Sequence, residues 1–260
     1  MELVLIGVAA LLTSCLTLFS GFGLGTVLMP VFALFFPVPL AIAATAVVHF
    51  ANNIFKFGLM AKRADWRVVA RFGVTAMFAA LFGASLLDPL NRMPVLASYT
   101  LGDRTFEITM IKAVIGSLIV LFSLLELSPG FQALAFPPRW LPLGGALSGF
   151  FGGLSGNQGA LRSAFLLKSG LSKEAFVATG IVSAVIVDAA RLAVYGTGFM
   201  AGHLDRSQEL LAPVAVGTIC AFIGSLAGKH LLQKVTLRTV RLIVAAAMLM
   251  IGTALIIGLV

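Results

Sequence analysis

Apolar residues run along this chain in stretches of about twenty, separated by short polar connections, and the pattern persists from end to end. Six stretches, 40–61, 67–87, 108–127, 174–195, 208–229 and 239–260, are long enough for a helix to cross about 30 Å of hydrocarbon, and each predicts a transmembrane helix. Two more, 3–36 and 141–168, are too long for one simple span. Glycine clusters interrupt them, Ser20 to Gly25 in the first and Gly152 to Gly159 in the second, so both predict broken helices or helix hairpins. Residues 3–19 are also long enough to cross fully.

The halves of the chain repeat this order: a glycine-broken apolar stretch, a short connection, then three spans. At an offset of 134 residues Gly25 falls on Gly159, Ala41 on Ala175 and Ala44-Thr45 on Ala178-Thr179. Charge in the equivalent loops is opposed. Lys62, Arg63, Arg67 and Arg71 crowd a loop whose counterpart holds His203, Asp205 and Arg206. The uncharged Pro37-Val38-Pro39 connection answers one carrying Lys168 and Lys173. The mixed loop at 88–107 (Asp88, Arg92, Asp103, Arg104, Glu107) answers one with Lys229, Lys234, Arg238 and Arg241. Positive loops face the cytoplasm, so equivalent loops lie on opposite sides. The expected fold is therefore an all-α polytopic membrane protein of two inverted repeats, 1–127 and 140–260, joined by a loop at 128–139 into one membrane domain. Each repeat has a re-entrant or broken helix hairpin and three full spans. With the loops at 62–71, 128–139, 168–173 and 229–241 cytoplasmic, 141–168 must enter and leave on one side, as half-spans meeting near the bilayer middle.

Composition excludes an ordinary soluble domain. Hydrophobic residues make up 60% and charged residues 11%, against about 25% charged in globular proteins. Phe alone (21) outnumbers Lys plus Arg (18). The formal charge of +8 suggests nucleic acid at first sight, but the basic residues are scattered between apolar runs, as membrane anchoring requires, and no nucleic-acid partner is expected. Cys15 and Cys220 lie inside apolar runs and build no disulfide framework. Met1-Glu2 lacks the basic start of a cleavable signal peptide. His49, His203 and His230 are far apart, and no metal-ligand spacing, nucleotide loop or nucleophile with its base is present, so no metal, cofactor or enzyme activity is expected.

The candidate chemistry lies in polar residues at membrane depth, where each charge costs several kcal/mol and marks a cavity or a partner. Spacings of four, three and four put Thr45, His49, Asn52 and Lys56 on one stripe of the first full span, with Asn53 beside it. The matching span carries Thr179, Ser183, Asp188, Arg191 and Tyr195. Ser155, Asn157 and Gln158 decorate the second glycine-rich tip, and Arg162 follows one turn into the next half-helix. Free N–H groups at a helix start favour anions, and an arginine fork suits an oxyanion, so this tip reads as an anion site. The first-half equivalent of Arg162 is Leu28.

The segment Gly21-Phe22-Gly23-Leu24-Gly25-Thr26-Val27-Leu28-Met29-Pro30, with Ala44-Thr45-Ala46, Asn52-Asn53, Gly152-Gly153-Leu154-Ser155-Gly156 and Ala178-Thr179, resembles the TauE/SafE sulfite exporter family, the TSUP group. The likeness covers nearly the whole chain. It implies a multi-pass carrier of the inner (plasma) membrane for sulfur-containing anions such as sulfite, sulfoacetate or thiosulfate. Related thiosulfate importers use cysteines on the pathway. Here only Cys15 is available and nothing places it at a tip, which argues against a thiosulfate relay. The expected protein is a secondary transporter, proton- or ion-coupled, with lipid as a partner and a homo-oligomer possible. Its substrate is expected between the hairpin tips, held by Arg162, Ser155, Asn157 and Gln158 against Asn52, Asn53, Gly23 and Gly25. His49, Asp188, Arg191, Lys56, Thr45 and Thr179 form the coupling and polar pathway. An anion channel and a non-transporting membrane assembly protein are the alternatives.

Overall fold

The computed structural model describes residues 1–20, 23–197, 204–231 and 237–260. Gly21, Phe22, His203 and Lys234, which the sequence reading used, lie outside the described residues. Among the described residues the chain is helical apart from one hairpin and short connections. Helices α1 (Glu2–Ser20) and α2 (Leu24–Ala33) occupy the first glycine-broken stretch, and α3 (Val38–Met60) and α4 (Trp66–Ser85) follow. A short α5 (Leu87–Asn91) leads into strands β1 (Val95–Leu101) and β2 (Arg104–Thr109), then α6 (Met110–Leu127) and the single-turn α7 (Pro129–Gln132). The second half has α8 (Leu141–Ser155), α9 (Gly159–Leu166), α10 (Lys173–Thr197), α11 (Leu204–Leu231) and α12 (Leu237–Ile256). All six predicted spans coincide with helices to within a few residues. Five helical segments among the described residues are long and apolar enough to cross a membrane. Their outward faces present large apolar side chains, among them Phe78, Phe82, Leu124, Ile219 and Ile223, as a lipid solvent demands.

Local chemistry sets the element ends. Asp65 caps α4 by accepting from the N–H groups of Arg67 and Val68 at 2.9 and 3.1 Å, and Thr109 accepts from Lys112 N at the start of α6. Helix α8 stops at Gly156, whose φ of 83° is the left-handed conformation that glycine adopts without a Cβ clash. Gly23, φ 128°, turns the chain into α2. The remaining glycines of the second cluster do not break the helix: α8 runs through Gly152 and Gly153 to Ser155, and the interruption is confined to 156–158.

Those glycines serve packing instead. Gly145, Gly149 and Gly153, four residues apart, face α4, and a Cβ on any of them would collide with the carbonyl oxygens of Phe72, Ala76 and Ala80 in turn. Small residues let helix backbones approach closely in a membrane, where no hydrophobic force drives helices together. The other half does the same with partners exchanged: Gly224 and Gly228 of α11 lie against the carbonyls of Leu11 and Cys15 in α1. Gly116 of α6 and Gly252 of α12 approach each other, a Cβ on either lying within 3.1 Å of the other's carbonyl oxygen. Thus α4 packs on α8, α1 on α11, α6 on α12 and α3 on α10, a pattern unchanged when the halves are interchanged. One apolar core spans both halves, with Ile42, Ile115, Ile119, Tyr195, Met248 and Leu255 among its members.

The hairpin is an addition to the expected fold. Residues 88–107 read as a charged loop, whereas β1 and β2 pair antiparallel around Gly102-Asp103. Tyr99 stacks on Phe106 at 5.5 Å and donates to the Ile257 carbonyl at 2.7 Å, tying the hairpin to the end of α12. Because β2 continues to Thr109, α6 begins two residues later than predicted.

Candidate functional site

Helices α3 and α10 are the most buried of the long helices, and the short helices α2 and α9 pack against α3 and α10 respectively. The two tips meet: a Cβ on Gly25 would lie 3.4 Å from the Gly156 carbonyl and 3.5 Å from the His49 ring. Beside this junction is a cavity of about 30 Å³, room for about one or two water molecules. Its walls are Gly23 and Leu24 of α2, His49, Asn52, Asn53 and Lys56 of α3, Arg162, Ser163 and Leu166 of α9, and Phe176, Val177, Gly180 and Ile181 of α10. The predicted α3 stripe therefore faces this space, except for Thr45, which is buried one turn further back and makes no side-chain hydrogen bond.

Behind His49 lies a densely connected polar group. Asp188 is fully buried. One carboxylate oxygen is 2.7 Å from His49 Nδ1 and accepts from Asn53 Nδ2 at 3.0 Å. The other accepts from Gln158 Nε2 and Arg191 Nε at 3.1 Å each, with Arg191 Nη2 at 2.8 Å. Arg191, also fully buried, reaches the Gly152 carbonyl at 3.4 Å. Tyr195, one turn on, donates to the Gly153 carbonyl. A buried carboxylate persists only when neutralised and hydrogen-bonded in this way. The pair anchors the α8 end and its tip to α10.

Arg162 is bound into the same network through Gln158. Its Nη1 donates to Gln158 Oε1 at 3.2 Å, while the amide nitrogen of Gln158 serves Asp188. Ser148 holds the Gln158 backbone carbonyl at 2.8 Å. The guanidinium lies across Gly180, where a methyl group would sit 3.5 Å from Nε. On the α3 side, Asn52 is surrounded by Ser14, Ser225 and Lys56. With its amide oxygen toward Lys56 it accepts from Lys56 Nζ at 3.1 Å and Ser14 Oγ at 3.2 Å, and its nitrogen donates to Ser225 Oγ at 2.8 Å, the orientation in which every group finds a partner.

Of the residues singled out in the sequence, Arg162, Asn52, Asn53, Gly23, His49 and Lys56 line the cavity. Ser155, Asn157, Gln158, Gly25, Asp188, Arg191, Thr45 and Thr179 do not. Ser155 and Asn157 bond to each other inside the tip at 3.1 Å. The Thr179 hydroxyl accepts from Asp65 N at 3.0 Å, fastening the start of α4 to α10. Sequence reasoning missed Ser14 and Ser225, polar residues at mid-helix that a fuller census of span polarity would have found. It also missed Phe176 and Val177, which carry no signal in an apolar run.

The charge balance decides what this space can hold. Asp188 and Arg191 offset one another, and Arg162 and Lys56, each about 5% exposed, project to a cavity that no carboxylate lines among the described residues. The start of α2, at Gly23 and Leu24, adds partial positive charge. Such a site favours an anion.

Comparison with known proteins agrees. No curated protein and no solved structure matches the chain. The family described as Sulfite exporter TauE/SafE matches residues 6–255, nearly all of both halves. This chain, a multi-pass membrane protein, belongs to the TauE/SafE sulfite exporter family.

Proposed function

We propose that the protein is a secondary carrier of small sulfur-containing oxyanions or organosulfonates, of the sulfite and sulfoacetate class, in the inner membrane. The observation that carries this reading is the pair of buried cationic side chains, Arg162 and Lys56, lining a small cavity beside two meeting helix tips. A cavity of about 30 Å³ suits an occluded state that must open to load. A permanently open channel would need a continuous wide pore, so the carrier reading is preferred.

The architecture proposed is two inverted repeats, 1–127 and 140–260. Opposed loop charges and the interchangeable packing of α4 on α8 and α1 on α11 support it. In this reading the α8–α9 pair, 15 and 8 residues long, is re-entrant. Helix α1, at 19 residues, has the length of a near-complete crossing, about 28 Å.

Substrate is bound by Arg162 and Lys56, oriented by Asn52 and Asn53, and flanked by Gly23 at the α2 start. Gln158, Ser155 and Asn157 hold the tip that presents Arg162. His49 is the coupling residue: it lines the cavity on one side and touches Asp188 on the other, so a proton on the ring sits between the carboxylate and the transported anion. Asp188 and Arg191 fix that ring and the tip together.

A thermal-shift screen of sulfite, sulfate, thiosulfate and two- to three-carbon sulfonates tests the anion site. A ligand at about 100 times its Kd stabilises the folded state by about 2.7 kcal/mol, so at least one sulfur oxyanion is expected to raise the melting temperature where chloride at equal ionic strength does not. No response to any of them would sink the assignment.

A further inference from the structure

A second and much larger chamber, about 910 Å³, lies outside the first. It is formed by the end of α3 and the turn after it (Lys56, Leu59, Met60, Arg63), the α9–α10 connection (Leu167, Leu171), the first turns of α10 (Lys173 to Val177) and Ser225-Leu226 of α11. Its rim carries Arg63 and Lys173, with Glu174 beside them, and it lies toward the basic loops read as cytoplasmic. Three residues line both chambers: Lys56, Phe176 and Val177. They occupy the partition between the outer vestibule and the inner cavity.

This partition has two unlike parts. Phe176 and Val177, adjacent on α10, present an apolar ring and a branched side chain to both spaces, and apolar side chains at a constriction oppose the passage of a hydrated ion. Lys56, on the opposite wall, is buried among these groups. Its flexible four-carbon stem carries a charge that can face either chamber. In the inner position its ammonium is held by Asn52, whose other partners, Ser14 and Ser225, reach the vestibule side through Ser225.

We propose that Phe176 and Val177 form the cytoplasmic gate of the carrier and that Lys56 is its selectivity element, passing an anion between the rim cations and Arg162 while the apolar pair excludes water and cations. The gate rests on the carrier reading above. It adds what that reading lacks: the residues that separate the occluded site from the cytoplasmic side.

The experiment uses the full-length protein with Cys15 and Cys220 replaced by Ala and a single probe cysteine in the inner cavity, Ser163→Cys, a near-isosteric change. Gly180→Cys repeats the measurement at a second position should the first variant fail to fold. Rates of modification by anionic sulfonatoethyl methanethiosulfonate and cationic trimethylammonioethyl methanethiosulfonate are measured on purified protein. Phe176→Ala is expected to speed modification by about tenfold or more, the factor that follows from lowering the barrier by about 1.4 kcal/mol. With Phe176 intact the anionic reagent should react faster, and Lys56→Met should shrink that preference. Rates unchanged by Phe176→Ala, or a charge preference unchanged by Lys56→Met, would overturn the gate. Labelling needs no transported substrate. Altered labelling without anion flux would therefore count against the carrier reading alone, and flux with unaltered labelling against the gate alone.

Discussion

Arg162→Ala is expected to leave a folded, membrane-inserted protein that no longer binds its anion. Removing one buried, hydrogen-bonded charge from a charged contact weakens binding by about 2–5 kcal/mol, roughly 30-fold or more in affinity. The loss should appear as disappearance of the anion-induced thermal shift and of concentrative flux. Folding should survive because the Asp188–Arg191 contact that anchors the tip is made without Arg162, which reaches it only through Gln158. Gln158 Oε1 loses a donor, at about 1–3 kcal/mol. Arg162→Lys keeps the charge but not the planar fork and should fall between the two. An Arg162→Ala protein that binds and transports normally would show that the anion lies elsewhere.

Asp188→Asn should act on stability first. The carboxylate is fully buried and serves His49, Asn53, Gln158 and Arg191 together. Neutralising it strands the Arg191 guanidinium, which is also fully buried, and breaking one side of such a pair destabilises by about 3–5 kcal/mol. A lower melting temperature and poor yield are the expected readout. Asp188→Leu with Arg191→Met, which removes both charges, should be less destabilised than Asp188→Asn alone. That ordering would separate an uncompensated charge from simple loss of packing. If Asp188→Asn melts with the wild type, Asp188 is not the keystone described.

Much of this was legible in the sequence. Long apolar runs leave a helix little alternative in lipid, where every backbone group must bond internally, and the six predicted spans fell on helices. Arg162 and the α3 stripe stood out because charged and amide groups are rare at that depth. Other features were hidden for definite reasons. The cluster from Gly152 to Gly159 read as one break because composition does not distinguish a glycine that bends a chain from one that admits a neighbouring backbone; Gly153 admits α4, and Gly156 makes the bend. The hairpin was masked by its charges, although β-branched and aromatic residues on either side of Gly102-Asp103 carried the signal. Asp188 was expected on the pathway and does not line the cavity, being bonded instead to His49, which does, and to Gln158. Phe176 and Val177 are ordinary apolar residues until a cavity is seen on each side of them.

The central claim is that this protein moves a sulfur oxyanion through the space between α3, α9 and α10. The most direct test is flux through purified protein reconstituted in vesicles, with radiolabelled or spectroscopically followed sulfite and a two-carbon sulfonate, with and without an imposed proton gradient. Saturable, gradient-responsive uptake of at least one of these anions, absent from vesicles carrying Arg162→Ala, is the predicted result. Folded wild-type protein that moves neither anion under any gradient would contradict the account.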